Sequence, residues 1–339
     1  MREDELIQSL ARIHGSRPYL ADAEIIPQGS GYELFSMDSF SEKEDFLAGL
    51  SPEQAGRQMA YAACADILAC GATPKFLLQT WNVDDHHPLA FYEGVARGVQ
   101  EVLEHYGASC IGGDMGTASE WSWTATVIGH TERPVMRRTS ARVPFDLYAT
   151  GLFGEANAAV FCGKPLPLVQ LRAPVPPVAL FATDSSGGFI DALENFRRAN
   201  HGMELEVDVK SLLSPNVAMA LSNMLVAHDD GEGTVVTPAK MLSPGAEPGW
   251  TLVGGVGEYE LLFAVPRGTT VANALKIGEG QFNASCNNEF RIRLADGRCG
   301  ELRNPPPDYR AIPQKEWVEA TAAYWSSLTP NGCAHRAHV

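Results

Sequence analysis

The sequence has few basic residues and lacks a long apolar run. Lys and Arg total 26 against 41 for Asp and Glu, which gives the chain a net charge of −15. Such an acidic surface repels phosphate backbones and anionic lipid headgroups, so neither a nucleic acid nor a membrane is expected as a partner. A membrane-spanning helix needs about 18 or more consecutive apolar residues, and no stretch of the sequence approaches that length.

Paired cysteines are lacking as well. The seven cysteines include no C-x-x-C pair, and most lie among apolar residues, as Cys64 and Cys70 do in AYAACADILACGA. This setting favours reduced, buried thiols over disulfides or a zinc site. The first ten residues, MREDELIQSL, carry acids where a secretory signal has its apolar core, so a cytoplasmic protein is expected.

What is present is a chain long enough for two domains. Its 339 residues, 45% of them apolar, fit two domains of ordinary size. In the first half, strand-like runs mix with two long helical patterns without strict alternation, which favours an α+β fold. We predict an N-terminal domain over residues 1–145, a C-terminal α/β domain over 146–325 and a flexible tail over 326–339.

Several local signals predict individual elements. Ser51 and Gln54 have the spacing of a capping box at the start of a long helix. The alternating segment MELEVDVKSLL, residues 203–213, predicts a strand, and Asp296-Gly297 predicts the turn of a hairpin. The residues of Asp84-Asp85-His86-His87 are of types that bind metals, but capping at the next helix is the favoured interpretation.

Five aspartates lie at the ends of apolar runs or beside glycine or serine. They are Asp22, Asp38, Asp66, Asp114 and Asp184. A buried carboxylate must be paired, hydrogen-bonded or bound to a metal, because an unpaired buried charge is very costly. A shared Mg²⁺ site is one interpretation, since Mg²⁺ prefers oxygen ligands. From spacing alone, separate helix caps and turns are the favoured interpretation.

Seven short segments, in order along the chain, carry a resemblance to a known family. They are ADAE from residue 21, SMDS from 36, CADILACGATP from 64, GGDM from 112, RTSARVPFDLYATG from 138, DSSGG from 184 and GGVGEYELLF from 254. In this arrangement the chain resembles thiamine-monophosphate kinase. It also resembles the wider superfamily of aminoimidazole ribonucleotide synthetase, selenophosphate synthetase and the hydrogenase-maturation carbamoyl-dehydrating protein.

The resemblance implies a fold, two cofactors and a set of site residues. The fold is the superfamily's two-domain α+β architecture, whose N-terminal domain binds ATP and metal and pairs through its sheet into a homodimer. By the matching positions, Mg²⁺ is held by Asp22, Ser36, Asp38, Asp66, Asp114 and Asp184. By the same matching, ATP meets Gly112, Gly113, Arg138 and Ser186.

The departures from the family's motifs concern the acceptor more than ATP. Ala21 and Gly187 stand where the family has aspartates, while Asp45 and Gly257 stand where the kinase has a His and a Glu that contact thiamine phosphate. We therefore expect an ATP- and Mg²⁺-dependent phosphoryl-transfer enzyme with a different small-molecule acceptor; no general base is evident. Two alternatives stay open: an amide- or formyl-activating cyclase or dehydratase, and a non-catalytic ATP-binding relative.

Overall fold

The computed structural model describes most of the chain. The described residues are 3–16, 20–42, 44–139, 142–217, 248–283, 289–293, 299–302, 306–307, 312 and 314–328. Within them, no helix combines the length and apolar character that crossing a bilayer requires. The predicted turn at Asp296-Gly297 and residues 329–339 of the predicted tail lie outside the described residues.

The first sheet has five strands, in the order β1-β2-β5-β3-β4. Their bounds are Glu24–Gln28 for β1, Gly31–Ser41 for β2, Thr73–Val83 for β3, Ser109–Thr117 for β4 and Ser122–Thr131 for β5. Neighbouring strands run antiparallel except β3 and β4, which are parallel. The strand β4 therefore forms one edge of the sheet.

Two long helices cover one face of this sheet. The helix α1 spans Glu3–His14, α2 spans Pro52–Ala69 and α3 spans Leu89–Tyr106. The two long helices, α2 and α3, pack against each other. The backbones of α2 and α3 approach so closely that a Cβ at Gly56 or Gly98 would overlap the backbone of the other helix. The predicted capping box of Ser51 and Gln54 at the start of α2 is confirmed.

The opposite face of the first sheet exposes apolar side chains. Met37 on β2 is 69% exposed, and Phe76 and Leu78 on β3 are 46% and 37% exposed. The strand register places all three on the same face of the sheet. Exposed apolar patches of this kind are typical of interaction surfaces.

The second sheet has seven strands, in the order β12-β11-β8-β10-β6-β9-β7. The strands are β6 Phe145–Ala149, β7 Phe181–Thr183, β8 Met203–Asp208, β9 Leu262–Pro266, β10 Leu275–Phe282, β11 Glu289–Arg293 and β12 Cys299–Glu301. The helices of this part are α4 Glu155–Phe161, α5 Phe189–Ala199, α6 Val209–Leu212 and α7 Gln314–Leu328, with a 3₁₀ turn over Pro248–Leu252. A second apolar core, which includes Phe181, Phe196 and Trp317, packs around this sheet.

The structure departs in part from three predictions, which concern a strand, the C-terminal tail and the cysteines. The strand predicted over residues 203–213 ends at Asp208, because the Asp208 carboxylate accepts the Lys210 N–H and starts α6. The helix α7 continues to Leu328, so the chain is still helical where the tail was predicted to begin. All five described cysteines are free thiols; Cys64 and Cys70 are buried as expected, whereas Cys110 is exposed and Cys162 and Cys299 are half-buried.

The predicted α+β class is confirmed, with one sheet built from residues up to Thr131 and the other from Phe145 onward. Backbone hydrogen bonds join the two parts: Val175 N–H donates to Leu68, and Ala182 N–H donates to Arg137. The exact domain limits at 145 and 325 stay a prediction. These joining bonds place β7, and the residue that follows it, beside α2.

Candidate metal and nucleotide site

Three of the predicted metal ligands meet at the junction of the two sheets. Oxygen atoms of Asp22, Asp66 and Asp184 all lie within 4.8 Å of one another. Asp22 lies just before β1, Asp66 on α2 and Asp184 just after β7, so residues distant in the sequence converge. We call these three residues the aspartate cluster.

The inward face of β2 brings two more of the predicted metal ligands, Ser36 and Asp38, to the edge of the cluster. Alternate residues of β2 point towards α2, and Leu34, Ser36 and Phe40 are buried there. Ser36 donates a hydrogen bond to Asp66. Asp38 is two residues further along the same face, and its charge raises the pKa values of both Asp66 and Asp184.

Burial and mutual repulsion make the ionised form of these carboxyl groups unfavourable. Burial raises the pKa of Asp38 to about 6. Burial, followed by the charge of Asp22, raises the pKa of Asp184 to about 8, and burial with the charge of Asp38 raises the pKa of Asp66. Carboxylates collected in this way need a cation or protons to be stable.

One protein cation already lies against the cluster. Arg138 Nη2 is 2.7 Å from Asp22 Oδ1, and the hydroxyl of Thr183 donates to the same oxygen at 2.8 Å. The side chains of Asp22 and Arg138 are only 1% and 13% exposed. The residue expected to meet ATP is thus paired with an expected metal ligand, and Thr183 joins them although its sequence position gave no such signal.

The cluster still has acceptor atoms without donors. Asp22 Oδ2 and Asp184 Oδ2 are buried and have no hydrogen-bond partner among the described residues. Ser185 Oγ, next to Asp184, is buried and likewise has no partner in the described part of the chain. Because native proteins rarely leave buried oxygens unsatisfied, and because carboxylate oxygens are the ligands that Mg²⁺ prefers, the residues present fit a magnesium ion.

Ser186 and Gly187 form the turn that follows Asp184. Ser186 donates to Asp184 Oδ1 at 3.1 Å, so this predicted ATP contact lies at the cluster. A Cβ at Gly187 would overlap the carboxylate of Asp191. Asp191, in the first turn of α5, therefore brings a carboxyl group close to the position where the family has an aspartate, which sequence matching did not reveal.

Asp114, Gly112 and Gly113 are not part of the cluster. They lie on the edge strand β4, where Asp114 is exposed and pairs in register with Thr80. Gly112 has a φ of +147°, next to the irregularity that shifts the register of β4 against β3. A Cβ at Gly113 would overlap the carbonyl of Gln79, so both glycines also have a structural role.

A cleft of about 400 Å³ opens beside the cluster. Its lining residues include Glu155, Glu258, Glu260 and Arg172. The wall residue Gly257 contacts the turn after Asp184, because a Cβ at this position would overlap the Ser186 carbonyl. None of the four charged lining residues was proposed as a site residue, although Glu258 and Glu260 lie in the family segment GGVGEYELLF.

The Asp84 carboxylate closes the loop between β3 and α3. It accepts the backbone N–H groups of His86, His87 and Trp121 and the Tyr92 hydroxyl. Burial by itself would raise the pKa of Asp84, but the hydrogen bonds from His87 and His86 outweigh it and lower that pKa to about 2. The predicted capping of the next helix is wrong, because the N-cap of α3 is Pro88, which has no side-chain cap bond.

The N-terminal part of the chain matches a known protein family. Residues 21–131 match the model of the family described as AIR synthase related protein, N-terminal domain. This part of the chain is similar to an AIR synthase related domain. It contains β1 to β5, α2 and α3, together with five of the predicted metal ligands. The expected resemblance to this superfamily is confirmed.

The curated relatives are thiamine-monophosphate kinases. The protein of Archaeoglobus fulgidus is 24% identical over 277 residues, which cover 78% of this chain and 85% of that protein. The protein of Corynebacterium glutamicum is 33% identical over 202 residues, which cover 53% of this chain and 60% of that protein. These likenesses support an enzyme of the kinase type.

Solved structures show the same fold. AaThiL, complexed with AMPPCP and TMP, superposes with a TM-score of 0.69 at 19% identity, covering 90% of this chain and 98% of that chain. The thiamine monophosphate kinase of Aquifex aeolicus gives 0.67 at 21% identity, covering 88% and 98%. The hydrogenase maturation protein HypE in complex with ATP gives 0.59 at 16% identity, covering 90% and 96%.

Proposed function

We propose that this protein is an ATP- and Mg²⁺-dependent phosphoryl-transfer enzyme whose acceptor differs from thiamine phosphate. The observation that carries the proposal is the aspartate cluster, in which buried carboxylate oxygens of Asp22 and Asp184 lack partners within the described ranges of the chain. Kinases transfer phosphoryl groups mainly by positioning the reactants and by neutralising charge. The kinase relatives and the AMPPCP complex of a structural neighbour support ATP as the donor.

The chain's own residues would divide the work as follows. Asp22, Asp66 and Asp184, with Asp38 and Ser36 beside them, would hold magnesium. When bound, magnesium neutralises charge on the phosphates. Arg138 reaches the cluster through Asp22, so it can pass its hydrogen bonds from that carboxylate to a phosphate oxygen. Ser186 can do the same from Asp184.

A homodimer is part of the proposal. The uncovered face of the first sheet exposes Met37, Phe76 and Leu78, which a second copy of the chain would bury. Asp114, Gly112 and Gly113 lie on the edge strand of that sheet. Pairing of two sheets through this face would place these three residues at a subunit interface, where the family resemblance expects ATP.

The changed acceptor is supported by the two positions that contact thiamine phosphate in the kinase. Asp45 accepts the Ser41 N–H at 2.8 Å and so closes its own loop. A side chain at Gly257 would overlap the carbonyl of Ser186. Both positions therefore serve the local backbone here, and neither offers the side chain with which the kinase meets its substrate.

A direct assay tests the proposal. The full chain is incubated with γ-labelled ATP and Mg²⁺, and separately with thiamine phosphate added. We expect ATP to bind by calorimetry only when Mg²⁺ is present and thiamine phosphate to stay unphosphorylated. Fast formation of thiamine diphosphate would overturn the changed acceptor, and absence of Mg²⁺-dependent ATP binding would overturn the function itself.

The two alternatives predict different products. An amide- or formyl-activating enzyme would release ADP together with a cyclised or dehydrated product. A non-catalytic relative, suggested by Ala21 and Gly187, would bind ATP and transfer nothing. Mass spectrometry of the reaction mixture separates these outcomes from phosphoryl transfer.

A further inference from the structure

The cleft beside the aspartate cluster carries three carboxyl groups and one cation in its described lining. Glu155, Glu258, Glu260 and Arg172 are the charged residues that line it. Gly257 in its wall contacts the turn that follows Asp184. The wall of the cleft is therefore in contact with the turn that carries the proposed magnesium and ATP ligands.

The single cation of this lining is already neutralised. Arg172 Nε is 2.8 Å from Glu260 Oε2, and its Nη2 is 2.6 Å from Glu260 Oε1. The Thr150 hydroxyl also donates to Glu260, at 2.5 Å. A bidentate pair of this kind is among the strong hydrogen-bonded interactions, so Arg172 has its carboxylate partner within the protein and is not a free anchor for a phosphate.

Glu155 and Glu258 differ in their partners. Glu155 accepts hydrogen bonds from the Ser214 hydroxyl and from Asn216 Nδ2, the latter at 3.0 Å. Glu258 accepts only the backbone N–H groups of Gly154 and Ala156 through one oxygen. Within the described part of the chain, no side chain donates to Glu258, so it is the carboxyl group of the cleft whose charge is not compensated.

The environment of Glu258 suits a group that exchanges a proton. Burial, together with the charges of Glu260 and Glu155, raises the pKa of Glu258 to about 8, although the two backbone N–H groups act in the opposite direction. General bases work best when their pKa lies near the working pH. The N–H groups of Gly154 and Ala156 hold Glu258 Oε1 in place and so fix the orientation of the carboxyl group.

We propose that the cleft binds a neutral or cationic alcohol and that Glu258 accepts the proton of its hydroxyl group; this rests on the proposed phosphoryl transfer. The alcohol oxygen bonds to the γ-phosphorus of ATP while the bond from that phosphorus to the bridging oxygen breaks. ADP leaves with the electron pair of the broken bond. The hydroxyl proton passes to the carboxylate of Glu258.

The charge of the cleft argues against a phosphate monoester as acceptor. A dianionic phosphate would face three glutamates, and the single lining cation is held by one of them. Like charges in a partly buried site raise the free energy of the complex. An alcohol without negative charge meets no such repulsion, and its proton needs an acceptor such as Glu258.

Matched acceptors and one substitution test this inference. The full chain with Mg²⁺ and γ-labelled ATP is offered choline against phosphocholine and thiamine against thiamine phosphate, with water as the acceptor common to all samples. We expect label on the alcohols or on water and none on the phosphate esters. Glu258→Gln should lower that transfer about 100-fold, remove the rise in rate between pH 7 and pH 8, and leave the Kd of ATP unchanged.

The control is Glu104→Gln, the same change on an exposed residue of α3, which should behave as the unaltered protein. Label on the phosphate esters would overturn the inference, as would a Glu258→Gln variant with the unaltered rate and pH profile. Bound ATP with no transfer to any acceptor, water included, would overturn the role of Glu258 alone. Failure to bind ATP in the presence of Mg²⁺ would overturn the proposed function beneath it.

Discussion

Two groups of carboxylates lie side by side in this protein, and they differ in what satisfies them. In the aspartate cluster, buried oxygens of Asp22 and Asp184 find no donor among the residues that the structure describes. In the neighbouring cleft, Glu260 is held by Arg172, and Glu155 by Ser214 and Asn216. The first group therefore needs something from outside the chain, whereas most of the second is complete as folded.

The difference shows that acidic residues alone do not define a metal site. Asp66 and Asp184 have raised pKa values because burial and neighbouring charges outweigh their hydrogen bonds. A cation bound there would oppose this shift. Glu260 already has an internal counter-ion, so an added cation would have to displace Arg172, and we do not expect it to bind there.

The largest expected effect is on metal-dependent nucleotide binding. Asp184→Asn removes a ligand of the cluster, so we expect the Mg²⁺-dependent affinity for ATP to fall by at least about 100-fold, measured by calorimetry. The metal-free variant should be at least as stable as the unaltered protein, because a repelled buried charge is lost. Asp85→Asn, at a side chain 90% exposed, is the matched control; equal losses in both variants would contradict the cluster.

The same type of change in the cleft should act on stability instead. Glu260→Gln breaks the bidentate pair and leaves Arg172 with a neutral partner. We expect a loss of about 1–3 kcal/mol in the free energy of unfolding, measured with urea, and unchanged binding of Mg²⁺. A stable Glu260→Gln variant that no longer binds Mg²⁺ would erase the distinction between the two groups.

The pH dependence of stability offers a third comparison. Asp38 and Asp184 have folded-state pKa values of about 6 and about 8, above the unfolded value of about 3.9. The folded protein therefore holds more protons between these values, and its free energy of unfolding should fall as the pH rises from about 4 to about 8. Urea titrations with EDTA should show this fall, and Mg²⁺ should reduce it; identical slopes in both would contradict a cation site.

The smallest expected effect belongs to Asp191. Gly187 stands at the position of the family's second aspartate, and the Asp191 carboxylate occupies the space that a Cβ at Gly187 would need. If Asp191 helps to orient the turn that carries Asp184, Asp191→Asn should weaken Mg²⁺-dependent ATP binding about three- to tenfold. This is at the low end of the effect of residues that hold a metal ligand without touching the metal. Calorimetry measures this, and an unchanged affinity would remove Asp191 from the site.

Local signals in the sequence predicted the fold better than they predicted the site. Ser51 and Gln54 start α2 as expected, because a capping box is a short-range pattern. The meeting of Asp22 with Asp184 depends on the packing of two sheets, and spacing alone favoured separate turns. From the sequence, only the family resemblance indicated that Asp22 and Asp184 belong to one site.

Other features of the site required the three-dimensional arrangement. The contact between Arg138 and Asp22 joins residues 116 positions apart, so nothing in either local context indicated it. Asp114 stays at the exposed edge of the first sheet because no strand of the described residues pairs with β4 on that side. The raised pKa of Glu258 arises from burial near Glu155 and Glu260, which a motif does not encode.

Diffraction from crystals grown with Mn²⁺ and AMPPCP tests the central claim most directly. Mn²⁺ takes the oxygen ligands that suit Mg²⁺, and its anomalous signal locates it without reference to the protein chain. We predict a peak within coordination distance of Asp22, Asp66 and Asp184, with the nucleotide's phosphates beside it. Ordered nucleotide with no peak among these three carboxylates, or a peak among the glutamates of the cleft, would contradict the account.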